Sequence, residues 1–114
     1  MFINYSNHPS SQWDEKQKQA AEKYGVILDV PFPKVGEEYS KQEIQDLAKV
    51  EVEKLLQYQP KCILCQGEMT LTYQVVQLLK EHNVMVVSAT SKRDVVEHNG
   101  VKVSKFKFCK LREY

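Results

Sequence analysis

The chain has 114 residues, 42% of them hydrophobic and 27% charged, a mixture expected of one globular domain spanning residues 1–114. Sixteen Lys and Arg against fifteen Asp and Glu leave a net charge of +1, which argues against a broad basic nucleic-acid surface but leaves room for a local cationic pocket. No apolar run approaches the ~20 residues of a membrane helix, and Met1-Phe2-Ile3-Asn4-Tyr5 reads as no signal peptide, so the expectation is a cytoplasmic protein without a membrane partner.

Phe2-Ile3-Asn4-Tyr5-Ser6 reads as a first strand, followed by the polar loop Ser6-Asn7-His8-Pro9-Ser10-Ser11. A helix is predicted over 15–24, with Asp14 and Gln17 at capping-box spacing, Trp13 as a hydrophobic staple and Gly25 at its end. A second strand over 26–30 stops at Pro31-Phe32-Pro33, because proline cannot donate to a ladder. Ser40-Lys41-Gln42-Glu43 is a second capping box, opening a helix that runs to about residue 58 with Ile44, Leu47, Ala48, Leu55 and Leu56 inward.

A third strand is predicted over 61–65, then the loop Gln66-Gly67-Glu68 and a helix over about 68–82 with Val75, Val76 and Leu79 buried. A fourth strand over 84–88 leads into Ser88-Ala89-Thr90-Ser91-Lys92-Arg93, read as a loop. Beyond it, Asp94 to Val103 forms a hairpin around Asn99-Gly100, a pair that suits a type I′ turn. The apolar residues then change from odd positions (Val101, Val103) to even ones (Phe106, Phe108), which predicts a bulge near Ser104.

This order gives an α/β fold: a Rossmann-like open parallel sheet in the order 2-1-3-4, with helices on both faces and a C-terminal antiparallel hairpin. The loops after strands one, three and four then share one sheet edge, where such folds bind ligands. Ser6, Asn7 and Ser10 are candidate ligand contacts, and His8 is a candidate acid/base. Gln66, Gly67 and Thr70 surround a helix start that could face an anion, while Glu68 could take a ribose hydroxyl or act as a base. Thr90, Ser91, Lys92 and Arg93 could hold a phosphate.

Cys62 and Cys65 are three apart on a strand, so they point to opposite faces and read as buried structural thiols. No metal site is expected, and no cofactor. The C-terminal lysines are read as protecting an edge strand rather than binding nucleic acid.

Three motifs carry a family resemblance. Asn7-His8 followed by Trp13-Asp14-x-x-Gln17 resembles a (Ser/Asn)-His-x-Leu-Thr-x-x-Gln pattern. Gln66-Gly67-Glu68 resembles Gln-Gly-Asp, and Thr90-Ser91-Lys92-Arg93 resembles Thr-Thr-x-Arg. These patterns belong to small stand-alone CRISPR-associated proteins of Rossmann-like, CARF-related type, some of which are ring nucleases. The chain departs from them by three extra residues in the first loop, by Glu for Asp at position 68, and by lacking a glycine after Met69.

The resemblance implies an antiviral-signalling ligand, cyclic tetra- or hexa-adenylate, bound across a homodimer. It also implies cleavage by attack of a ribose 2′-hydroxyl on the neighbouring phosphate without a metal. On that basis His8, Glu68 and Arg93 would be catalytic. Ser6, Asn7, Ser10, Gln66, Gly67, Thr70, Thr90, Ser91 and Lys92 would hold the ligand. The alternatives are a non-catalytic sensor or sponge for the same ligand, a nucleoside- or nucleotide-processing enzyme using Glu68, and an interaction module docking through Phe32, Phe106 and Phe108.

Overall fold

In a computed structural model describing residues 1–114, the chain alternates strands and helices: β1 Phe2–Ser6, α1 Glu15–Glu22, β2 Ile27–Pro31, α2 Lys41–Leu56, β3 Cys62–Cys65, α3 Met69–Glu81, β4 Met85–His98 and β5 Val101–Glu113. The five strands make one sheet in the order β2-β1-β3-β4-β5. The first four pair in parallel and β4–β5 pair antiparallel. The parallel order 2-1-3-4 is as expected, with a fifth strand added at the β4 edge.

Local chemistry explains the helix starts. The Asp14 carboxylate accepts from the Gln17 amide at 2.8 Å, although only this half of the expected capping box forms. At α2 both halves form: Ser40 Oγ accepts from Glu43 N, and Glu43 Oε1 accepts from Ser40 N. Each bond satisfies an amide that has no partner within its helix. Gly25 lies at φ +121°, and the Met1 nitrogen would fall 2.7 Å from a Cβ there, so a side chain is excluded twice over.

Alternation along β1 divides the interior. Ile3 and Tyr5 face Ile44, Ala48, Val52 and Leu55 of α2 and Leu71, Val75 and Leu79 of α3. Phe2 faces the other way, toward Trp13 and Ala21 beside α1. Helices therefore cover both sheet faces, and all five β1 residues are buried. Cys62 joins the α1-side cluster and Cys65 the α2/α3-side cluster, on opposite faces as their spacing requires.

The largest departure from the sequence reading lies in β4. Residues 88–93 are not a loop; the strand continues through them to His98. The partner is β5, in register from Val87↔Glu113 to His98↔Val101. Asn99 and Gly100 turn the ribbon at φ +50° and +77°, as a type I′ turn demands. The register shifts between Thr90 and Ser91, where Cys109 is the extra residue on β5. The bulge therefore lies at Cys109 rather than near Ser104, which pairs regularly with Val95. The outer half of the ribbon projects beyond the domain and raises the radius of gyration to 15.7 Å, against about 13 Å for a compact chain of this length.

No helix is long and apolar enough to cross a membrane.

Candidate functional site

The order of strands reverses between β1 and β3, so the chain leaves these strands toward opposite sides and opens a crevice at their carboxyl ends. A cleft of about 600 Å³ lies there on the α1 side. Ser6 and His8 enter it from the end of β1, Gln12, Trp13, Asp14 and Gln17 from the approach to α1, and Gln66 from the end of β3. Ser91, Phe106 and Phe108 enter it from the ribbon.

The β1 loop is held by a buried polar clamp. Asn4, 1% exposed, stands in register with Asp29 of β2. Its amide donates to Asp29 Oδ1 at 3.0 Å and to the His8 carbonyl at 2.8 Å. The Ser6 hydroxyl donates to Asn4 Oδ1 at 2.6 Å and accepts from His8 N at 3.3 Å. Asp29 Oδ2 also accepts from Ser10 N at 3.1 Å. Ser10 thus serves the clamp through its backbone, while the exposed His8 ring is left on the cleft wall.

Gln66 ties β3 to β4, its Oε1 accepting from Ala89 N at 2.9 Å. Gly67 is needed for packing: a Cβ there would fall 2.5 Å from the Phe32 ring. Phe32 itself packs against Tyr5, with ring centroids 4.9 Å apart and the planes tilted by 43°. Glu68 caps α3, accepting from Thr70 N, Leu71 N and the Thr70 hydroxyl at 2.7–2.9 Å. A slight loss of hydration raises its pKa, but these hydrogen bonds outweigh it and hold the carboxyl below its ordinary value. The start of α3 is therefore occupied by the protein's own anion, where the sequence had suggested a place for a ligand's.

The ribbon separates residues that seemed to form one cluster. Ser91 faces the cleft, and Arg93, opposite Phe106, is the next residue on that ribbon face. The Arg93 guanidinium donates to Ser104 Oγ from Nε at 3.1 Å and Nη2 at 3.0 Å. Lys92 lies on the opposite face, and Thr90 exchanges hydrogen bonds with the Lys110 backbone. Neither Lys nor Arg lines the cleft, whose walls are aromatic, amide and hydroxyl, with Asp14 the carboxylate among them. The expected cationic pocket is not formed within the cleft, because residues 90–93 are strand.

Of the sequence candidates, Ser6, His8, Gln66 and Ser91 thus meet in the cleft. Asn7, Ser10, Gly67, Glu68, Thr70, Thr90, Lys92 and Arg93 do not line it. Gln12, Trp13, Asp14, Gln17, Phe106 and Phe108 were not among those candidates. The Trp13–Gln17 motif carries a signal for some of them; the two phenylalanines read as strand and docking residues, and nothing local marks them as cleft walls. Of the three phenylalanines named for docking, Phe32 and Phe108 are 5% and 7% exposed and Phe106 is 71% exposed.

A second depression of about 610 Å³ lies on the α3 side, also bordered by Gln66 and reached by Gly67, Thr72, Tyr73, Lys80, Ser88 and Tyr114. The Thr72 hydroxyl is buried there without a hydrogen-bond partner. Burial raises the Tyr114 pKa, and its hydroxyl donates to the Cys65 carbonyl at 2.8 Å, closing the end of the sheet. No group of three or more His, Cys, Asp or Glu converges as metal ligands would.

Fold and site together define an open, mostly parallel α/β-sheet protein with a cleft at its switch point. The chain belongs to the family described as the Uncharacterized protein MJ1673 family, whose model matches residues 1–112. No curated protein and no solved structure matches it.

Proposed function

We propose that this protein is a cytoplasmic, CARF-like nucleotide-binding protein whose ligand is a cyclic oligoadenylate, and that it cleaves the ring. The observation that carries the reading is the chemistry of the switch-point cleft. Trp13, Phe106 and Phe108 offer apolar walls for a base, and Gln12, Gln17, Gln66 and Ser91 offer neutral donors and acceptors for base and ribose. Arg93, beyond Ser91 on the same ribbon face, is the cation available to a phosphate leaving the cleft. The cleft accommodates part of a cyclic tetra- or hexa-adenylate, so a homodimer would supply two such clefts to one ring.

The reaction is an in-line transfer. The ribose 2′-oxygen bonds to the adjacent phosphorus, the bond from phosphorus to the 5′-oxygen breaks, and a 2′,3′-cyclic phosphate and a 5′-hydroxyl result. The 2′-hydroxyl loses a proton and the leaving 5′-oxygen gains one. His8, whose ring is free on the cleft wall, takes the proton from the 2′-hydroxyl, and water supplies one to the 5′-oxygen on the far side of phosphorus. Alignment of attacking and leaving oxygens supplies much of the rate. Glu68, engaged at the start of α3, takes no part in the transfer.

The second reading is a non-catalytic sensor of the same ligand. It is favoured by the engagement of Glu68, which leaves His8 as the ionisable base of the original catalytic set on the cleft wall. Incubation with cyclic tetra- and hexa-adenylate in EDTA, followed by chromatography, separates the readings. Linear products ending in a cyclic phosphate establish the nuclease. Intact ring with a raised melting temperature establishes the sensor. Intact ring with no thermal shift overturns both.

A further inference from the structure

The outer ribbon, from Ser91 to Lys107, has no helix packed over it, and an isolated two-stranded ribbon is marginal in water. Its side chains nevertheless include exposed Val96, Val101 and Val103 on one face. The same face carries Lys92, Lys105 and Lys107 nearer the domain, Lys107 paired with Asp94 at 3.4 Å and the other two without an ion-pair partner. Over the whole segment five cations stand against Asp94 and Glu97, a surplus of three positive charges. Since the chain totals +1, everything outside the ribbon stands at −2.

A second exposed apolar surface lies at the carboxyl edge of the sheet, on the side of α2 and α3. Tyr39, Met69 and Tyr73 line a groove of about 460 Å³ there, with Lys41 also on its wall. Met69 is 83% and Tyr73 60% exposed, unusual for large apolar side chains so close together. Glu37 and Glu38, next to Tyr39, are exposed and have no ion-pair partner.

We infer that the ribbon is a clasp that docks a second copy of this chain, each ribbon laying its valines on the partner's Tyr39–Met69–Tyr73 groove and its lysines toward the partner's Glu37 and Glu38. Charge selects the arrangement: ribbon against ribbon would oppose two positive segments, whereas ribbon against domain pairs unlike charges. Two such contacts are self-complementary and close as a two-fold dimer. The area suffices. Eight residues of strand span about 26 Å, and two strands with their side chains cover about 10 Å in width. Two clasps, counted on both surfaces, then bury about 1,000 Å², the lower bound for a biological interface and the scale of a weak, concentration-dependent dimer. Because β4 runs past the carboxyl ends of β1 and β3, the clasp brings the cleft-bearing edges of the two copies toward each other. The inference does not depend on what the cleft binds.

Sedimentation of the ligand-free chain across 1–100 µM tests it. A dimer is expected, weakening as salt is raised. Lys92→Glu with Lys105→Glu should raise the dissociation constant at least tenfold, and so should Glu37→Lys with Glu38→Lys. Combining all four substitutions should restore the dimer, a result that misfolding or a general loss of charge cannot produce. A monomeric wild-type chain, a dimer untouched by either pair, or failure of the folded fourfold variant to recover overturns the clasp. RNA binding by a monomeric wild-type chain that is lost with the ribbon lysines also overturns it, and assigns the ribbon to nucleic acid.

Discussion

Gly67 lies so close to Phe32 that a Cβ on Gly67 would fall 2.5–2.6 Å from three ring carbons. The glycine allows the Phe32 ring to close the core between β2 and the start of α3, where it packs at a tilt against Tyr5. Gly67→Ala should destabilise the chain by about 1–3 kcal/mol, the usual range for overpacking. Phe32→Leu, combined with it, should return part of that loss. Urea denaturation of the two single variants and the double variant measures the coupling. Strict additivity would mean that the contact does not limit the site.

Glu68 should matter to α3 more than to chemistry. Glu68→Ala removes the acceptor for two backbone amides and should cost about 1 kcal/mol. Its carboxyl pKa is lowered in the folded chain, so the ionised cap stabilises fully above the unfolded carboxyl value, about 4.3. That contribution is lost as pH falls through the lower folded value. The stability difference between wild type and variant should therefore be steady near pH 7 and shrink in acid. Denaturation from pH 7 to pH 3 tests the sign.

His8 and Arg93 should separate kinetically. His8→Ala should lower ring cleavage by about 100-fold or more while binding holds, because its backbone, not its ring, joins the Asn4 clamp. Arg93→Ala should instead weaken ligand affinity about tenfold, the lower range for losing a charge-assisted contact. Isothermal titration and single-turnover rates distinguish the two. Equal losses of affinity in both variants would sink this division of labour.

The thiols should differ sharply. Burial, with a smaller contribution from the Glu113 charge, pushes Cys62 up to about 12, and burial alone pushes Cys65 up to about 12. Both stay protonated and inaccessible at pH 8, whereas Cys109 is exposed at the ribbon bulge. A colourimetric thiol reagent should titrate one cysteine rapidly in the native chain and three after unfolding. Rapid modification of a second cysteine under native conditions would show that the sheet opens locally.

Removing the Tyr5 hydroxyl should be costly. It donates to Glu51 Oε1 at 2.7 Å, while Lys54 donates to the other carboxylate oxygen at 3.0 Å. Glu51 is 7% exposed, so Tyr5→Phe leaves part of a buried carboxylate unpaired and should lose about 1–3 kcal/mol. Tyr5→Phe with Glu51→Leu should recover much of it. Thermal and urea unfolding of both variants measures the difference.

Elements whose signals are local were legible along the chain. Apolar runs marked β1 and β3, capping residues Asp14, Ser40 and Glu43 marked the helix starts, and Asn99-Gly100 marked the turn. Alternation also put Cys62 and Cys65 on opposite faces. The state of residues 88–93 depends instead on a partner remote in the chain. Their Ser, Thr, Lys and Arg content reads as a loop, but β5 offers a continuous hydrogen-bonding partner, and strand preference depends on such neighbours more than on composition. That pairing moved Lys92 to one face, left Arg93 and Ser91 on the other, and carried Phe106 and Phe108 to a cleft begun by residues about one hundred positions earlier. Glu51 shows the same limit from inside the helix: it holds a core position of α2 because Tyr5, remote in sequence, supplies the hydrogen bond that makes a buried carboxylate tolerable.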